Sequence, residues 1–151
     1  VYVRDCTIET DMELLIPDSY VSTITERVSL YKSLDESKTE EALVAFANEL
    51  KDRFGPVPKQ TVELIDTIRL RTLAVKIGFE KLVLKNKRMT GYFISNQNST
   101  YYQSEAFTKV LNFFQRNQKL CKMKEMNNRP IMTFDNIKTI VDAKQQLEKL
   151  V

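Results

Sequence analysis

Two carboxylates three residues apart, Glu49 and Asp52, are the residues of this chain best spaced to do chemistry together. They stand in the run Asn48-Glu49-Leu50-Lys51-Asp52-Arg53-Phe54-Gly55-Pro56-Val57-Pro58. At i, i+3 on a helix two side chains are neighbours, and a carboxylate pair can divide acid and base roles. The surrounding pattern argues for a different use. Leu43, Phe46, Ala47, Leu50 and Phe54 form a buried stripe, and Glu41, Asn48, Glu49 and Asp52 fall on the opposite, solvent face. The pair also sits in the last two turns, against the negative end of the helix dipole, where each charge costs about 0.3–1 kcal/mol. Lys51 and Arg53 partly offset this. One reading is a solvated face with weak ion pairs, each worth about 0–1 kcal/mol. The sharper one is a docking surface, on which a cationic side chain, ideally an Arg fork, accepts both carboxylates.

Other chemistry is thinly supplied. The chain has no histidine, which removes the Ser-His-Asp and Cys-His relays and the commonest metal ligand. Its three glycines, Gly55, Gly78 and Gly91, cannot write a phosphate loop or a dinucleotide turn. Cys6 and Cys121 are too few and too far apart for a disulfide framework or a zinc cluster, and read as two reduced, buried thiols. These residues argue against an enzyme in its own right and offer no metal or cofactor site.

Charge is divided unequally along the chain. Residues 1–75 hold 9 Lys+Arg against 14 Asp+Glu, a balance of −5, and residues 76–151 hold 14 against 6, a balance of +8. The basic half clusters Lys81, Lys85, Lys87 and Arg88 at one turn, continues with Lys109, Arg116, Lys119, Lys122, Lys124 and Arg129, and interleaves Tyr92, Phe93, Tyr101 and Tyr102. Basic residues with aromatics on a sheet are the material of a nucleic-acid platform. A nucleic-acid-binding module using this half is therefore the second reading, beside a merely solubilising surface.

The elements that must position these residues follow from period and punctuation. At 151 residues the chain is expected to be a single domain, residues 1–151, with residues 1–5 a linker remnant and the whole a piece of something longer. Residues 1–15 read as extended, and Ile16-Pro17-Asp18-Ser19 as a turn. A helix over about 20–34 is expected from Val21, Ile24, Val28 and Tyr31, capped by Ser19 or Ser22. Thr39 caps a second over about 39–54, stopped by Gly55 and Pro56. Pro58 opens a third over about 58–77, apolar over more than half its girth and stopped by Gly78. Strands are expected over about 79–85, 88–95, 120–126 and 131–134. Two further helices, about 104–116 with the stripe Phe107, Val110, Leu111 and Phe114, and about 136–150 capped by Asp135, complete the order. Helices first and a small, mostly antiparallel sheet afterwards argue an α+β fold. No apolar run approaches the ~20 residues of a membrane span, and no secretory pattern opens the chain, so a cytoplasmic location is expected.

Certain stretches together carry a family resemblance. They are Cys6-Thr7-Ile8-Glu9-Thr10-Asp11, Leu15 to Val21, Glu26-Arg27-Val28-Ser29-Leu30-Tyr31-Lys32, Glu49 to Pro58, Ile68-Arg69-Leu70-Arg71 and Lys76-Ile77-Gly78-Phe79-Glu80-Lys81. In this order and spacing the chain resembles the C-terminal domain of bacterial transcription-repair coupling factors, sharply from about Cys6 to Lys81. The resemblance implies a multidomain DNA translocase. It would use ATP and Mg in motor modules outside this chain, displace stalled RNA polymerase and recruit UvrA. This domain would then be a regulatory clamp on a UvrB-like N-terminal module of the same polypeptide. The family's acidic clamp positions fall on Glu49 and Asp52, and Arg53, Phe54, Gly55 and Pro56 complete the motif as structural residues.

Overall fold

The structure, a computed structural model, describes residues 2–151 of the chain. It holds two compact units: Glu13–Arg69, and the residues up to Met12 together with Leu70–Val151. The secondary structure is α+β, as the order of patterns predicts.

The unit of Glu13–Arg69 is helical. Helix α1 runs Ile24–Glu36, α2 runs Glu40–Phe54, and α3 begins at Lys59 and continues to Ile77. Its core is Ile16, Val21, Leu30, Leu34, Leu43, Phe46, Leu50, Ile65 and Ile68. Helix α2 follows its sequence signals. Thr39 Oγ1 accepts from the Ala42 amide at 3.1 Å, and Gly55 closes the helix at φ +90°, where a side chain would be strained. Helix α1 differs from expectation in start and in phase. Residues 18–21 form a turn on the Pro17 carbonyl, which accepts from Tyr20 and Val21 at 3.0 Å each. The helix starts only after Thr23, and neither Ser19 nor Ser22 caps it. Leu30 and Leu34 face inward, while Ile24 and Val28 are 71% and 61% exposed. Both i, i+4 rows are apolar, and packing chooses between them. Two polar ties complete the unit. Arg69 binds Glu40 with Nε and Nη2 (2.9 and 2.8 Å) and Asp66 with Nη1 (2.7 Å), and buried Thr61 donates to the Leu15 carbonyl at 2.9 Å.

The other unit is built on a five-stranded sheet in the order β1-β2-β3-β5-β4. Its strands are β1 (Thr7–Thr10), β2 (Lys81–Lys85), β3 (Arg88–Tyr92), β4 (Cys121–Met126) and β5 (Arg129–Asp135). The sequence reading gave four strands. The fifth, β1, pairs parallel with β2, so the sheet is mixed; the other ladders are antiparallel. Residues 2–5, read as linker, precede β1, and Val3 among them is buried. Strand β3 stops at Tyr92 rather than 95. Phe93 N donates to the Pro130 carbonyl, and Pro130 has no N–H to return. Strand β2 starts at Lys81 rather than 79, because Phe79 N closes the end of α3 on the Ala74 carbonyl. Hairpin turns at Asn86-Lys87 and Asn127-Asn128 place all four residues at positive φ, the hairpin-favouring geometry.

One face of this sheet, with Leu82, Leu84, Met89, Met132 and Phe134, is buried. Register puts Lys81, Tyr92, Ile131 and Lys124 in one row of the other face, where only Ile131 is buried. A 3₁₀ turn at Thr100–Gln103 and helices α4 (Glu105–Arg116) and α5 (Ile140–Glu148) complete the unit. Helix α4 is capped by Ser104 as expected, but its Leu111 is exposed. Helix α5 begins four residues later than expected. Asn136 turns the chain at φ +60°, and Thr139 with Asp142 forms the capping box in place of Asp135. Its inward residues are Ile140, Ala143 and Leu147; Val141 points outward.

Candidate docking surface

Thr39 at one end and Gly55 at the other set the frame of α2 on which the carboxylate pair stands. Burying Leu43, Phe46 and Leu50 turns Glu49 and Asp52 to solvent. Glu49 is 55% exposed at its side chain and lies 3.9 Å from Arg53 Nη1. Arg53 reaches the other way to Glu26, with Nη2 at 3.5 Å from Oε1. Both separations exceed the 2.7–2.9 Å of a charge-assisted hydrogen bond. Arg53 therefore stands between two carboxylates without closing on either. Asp52 is exposed and forms no ion pair among the described residues. Glu26 is the member of this cluster that sequence reasoning missed. It lies in the first turn of α1, and no spacing rule links it to residues on α2.

The backbone beneath the pair is held by Tyr20. Its hydroxyl lies 3.0 Å from the Leu50 carbonyl and 2.7 Å from that of Gly55, sharing its one proton between the last helical turns and the residue that closes them. The Tyr20 ring meets Phe54 at 5.7 Å between centroids, and the Arg53 guanidinium lies over the Phe54 ring at 4.7 Å. Phe54 and Gly55 thus build the support for Arg53 and the two acids, and Pro56, itself exposed, bars further helix.

The basic hairpin is more neutral than its sequence. Glu9 on β1 takes Lys81 at 3.3 Å and Lys85 at 4.0 Å, and Asp135 takes Arg88 at 2.9 Å. Lys87 sits exposed in the turn, without an ion pair among the described residues. The aromatics interleaved with this charge are mostly consumed by the core. Phe93 and Tyr101 are buried, and Tyr102 donates its hydroxyl to the Ile94 carbonyl. Tyr92 remains on the open sheet face, with Lys81 Nζ at 5.3 Å and the Arg129 guanidinium at 5.4 Å from its ring.

Both thiols are buried. Burial, aided by Asp5, pushes Cys6 up to about 12, and burial raises Cys121. Neither has the lowered pKa of a nucleophile. Among the described residues no group of three His, Cys, Asp or Glu comes together as a metal would require, and no helix is long and apolar enough to cross a membrane.

Comparison with known proteins fits these observations. A crystal structure of the C-terminal domain of transcription-repair coupling factor superposes with a TM-score of 0.73, covering 97% of this chain and 93% of that one at 15% identity. At that identity the likeness defines the class of fold, the same α+β arrangement. Residues 10–104 match the family model of the TRCF domain. The chain belongs to the TRCF domain family. The transcription-repair-coupling factor of Escherichia coli (strain K12) is 40% identical over 75 residues, 50% of this chain and 6% of that protein. That of Rickettsia prowazekii (strain Madrid E) is 29% identical over 135 residues, 89% of this chain and 11% of that protein. The chain thus corresponds to a small part of the length of each relative.

Proposed function

We propose that this chain is the regulatory domain of a transcription-coupled repair ATPase and has no catalysis of its own. In this reading Glu49 and Asp52 dock on basic side chains of a UvrB-like module elsewhere in the same polypeptide. Docking hides the surface that recruits UvrA until the polypeptide engages stalled RNA polymerase. ATP and Mg belong to motor modules outside these residues, and DNA is held by that motor. Family membership and the relatives' shared role in coupling transcription to repair support the setting.

The observation that carries the docking role is the state of the acidic pair. Asp52 is kept at the wrong end of a helix dipole with no ion pair among the described residues, and Glu49, one turn further in, has only a loose partner. Nothing in the fold's own stability asks for them. A partner cation would gain two charge-assisted bonds there, and an interface between domains of one chain, typically about 600–1,500 Å² and fairly polar, suits such pairs. A clamp that must open needs a gap of only a few kcal/mol.

The test is Glu49→Ala with Asp52→Ala in the longer polypeptide. ATP hydrolysis in the absence of polymerase and binding to UvrA should both rise. If both stay at the unsubstituted level while the domain remains folded, the docking role is wrong.

A further inference from the structure

Ion pairs offset most of the positive charge at the hairpin, where Lys87 stays without an ion pair among the described residues. Glu9 is shared by Lys81 and Lys85, Asp135 pairs with Arg88 and Glu80 with Arg129, three negative charges against four positive. Around α4 no such pairing occurs. Lys109 and Arg116 lie seven residues apart on one stripe of that helix, about 10.5 Å along its axis. Lys149, just past the end of α5, joins them in lining a groove of about 350 Å³. No acidic side chain lines the groove, although Val151, which bears the terminal carboxylate in the 151-residue chain, also lines it, and among the described residues none of the three cations makes an ion pair. The exposed Asn112 adds a neutral polar group, and half-buried Phe113 and buried Leu150 form the floor.

Three cations in one groove exceed the one terminal carboxylate that Val151 brings in the 151-residue chain, and a single further carboxylate would relieve only part of their repulsion. A chain of phosphates relieves all of it. A single strand would also call for exposed rings on which unpaired bases stack. The one ring here, Phe113, is half-buried in the floor, so the groove reads backbone and not bases. We infer that Lys109, Arg116 and Lys149 form a contact site for the sugar-phosphate backbone of duplex DNA. The choice of DNA over another polyanion rests on the repair setting proposed above, and not on the acidic pair.

The test is titration of a labelled mixed-sequence duplex with the 151-residue chain between about 50 and 200 mM salt. Three phosphates neutralised predict a slope of log affinity against log salt of about −2.7. Lys109→Gln, Arg116→Gln and Lys149→Gln should each make that slope shallower by about 1, and the triple variant should lose binding. Lys109→Arg with Lys149→Arg should retain it, which separates lost charge from lost fold. Lys81→Gln with Lys85→Gln should leave the slope unchanged. No salt-dependent binding at the low end, an undiminished slope in the triple variant, or binding of polyglutamate with none of duplex would overturn the inference. Glu49→Ala with Asp52→Ala should leave the slope untouched, so this site and the docking pair fail separately.

Discussion

Removing both acids of α2 should leave this chain at least as stable as before. Three contributions set the size of the effect in Glu49→Ala with Asp52→Ala. The Glu49–Arg53 contact is lost, but at 3.9 Å, with side chains 55% and 44% exposed, it is worth about 0–0.5 kcal/mol. Asp52 leaves the last turn of the helix, a relief of about 0.3–1 kcal/mol at low ionic strength, while Glu49 stands one turn further in, where the dipole effect has fallen off. Alanine also favours helix over aspartate by a few tenths of a kcal/mol, about 0.5. Arg53 keeps Glu26, so no charge is stranded. The sum runs from a gain of about 0.3 to a gain of about 1.5 kcal/mol, and in a chain of this size each kcal/mol moves Tm by about 2–4 °C. Asp52→Ala alone should supply most of the gain, because Asp52 loses no ion pair. Thermal melts of the 151-residue chain by circular dichroism, at low salt and at about 0.5 M salt, read this directly, and screening should shrink the difference. A fall in stability of more than about 1 kcal/mol would show that the pair serves the fold, and would refute the argument that it is kept for a partner.

Gly78→Ala should cost about 3–5 kcal/mol by urea unfolding, since its Cβ would stand 2.2 Å from Tyr101 Cζ at a backbone φ of +113°; a loss under about 1 kcal/mol would contradict the close approach. Arg69→Ala should cost about 2–3 kcal/mol, because Asp66, 9% exposed at its side chain, loses its 2.7 Å partner. Arg69→Lys should recover only part of it, an ammonium being unable to fork between Glu40 and Asp66. The Cys6 thiol is raised in the folded chain from 9.0 to about 12, so its contribution is full below pH 9 and is lost as pH rises through that window, by up to about 1.4 kcal/mol per pH unit. Cys6→Ala should flatten that alkaline decline in denaturant midpoints, and an unchanged decline would count against burial of the thiol. Tyr20→Phe should cost about 1–2 kcal/mol by removing the one hydroxyl proton shared between the Gly55 and Leu50 carbonyls, read as a lower urea midpoint at unchanged slope.

The helix bearing the acidic pair was legible because its signals are local: Thr39, the stripe to Leu50, then Gly55 and Pro56. The same kind of signal failed for α1. Ile24 with Val28 and Leu30 with Leu34 are both sound apolar rows, and only contact with the rest of its unit decides which is buried. Alternation around Ile8 showed an extended segment, but nothing local names β2, more than seventy residues on, as its parallel partner. The same holds for charge. Lys81, Lys85 and Arg88 look like an uncompensated cluster in the sequence, and Glu9 and Asp135 reach them only through strand pairing. At the docking surface, Glu49, Asp52 and Arg53 are adjacent in sequence and were visible at once, while Glu26 arrives from another helix and was not.

Two glycines of the sheet unit are each filled by an aromatic ring: Tyr101 occupies the space a side chain at Gly78 would need, and the Phe79 ring does so at Gly91, 2.3 Å from where a Cβ would be. Such places are joint decisions in evolution. Any descendant that enlarges one glycine must shrink or redirect the ring opposite, so the two members of each couple should drift together or not at all. Related chains, set side by side, would then keep Gly78 with Tyr101 and Gly91 with Phe79 as correlated columns, even where their neighbours have diverged freely.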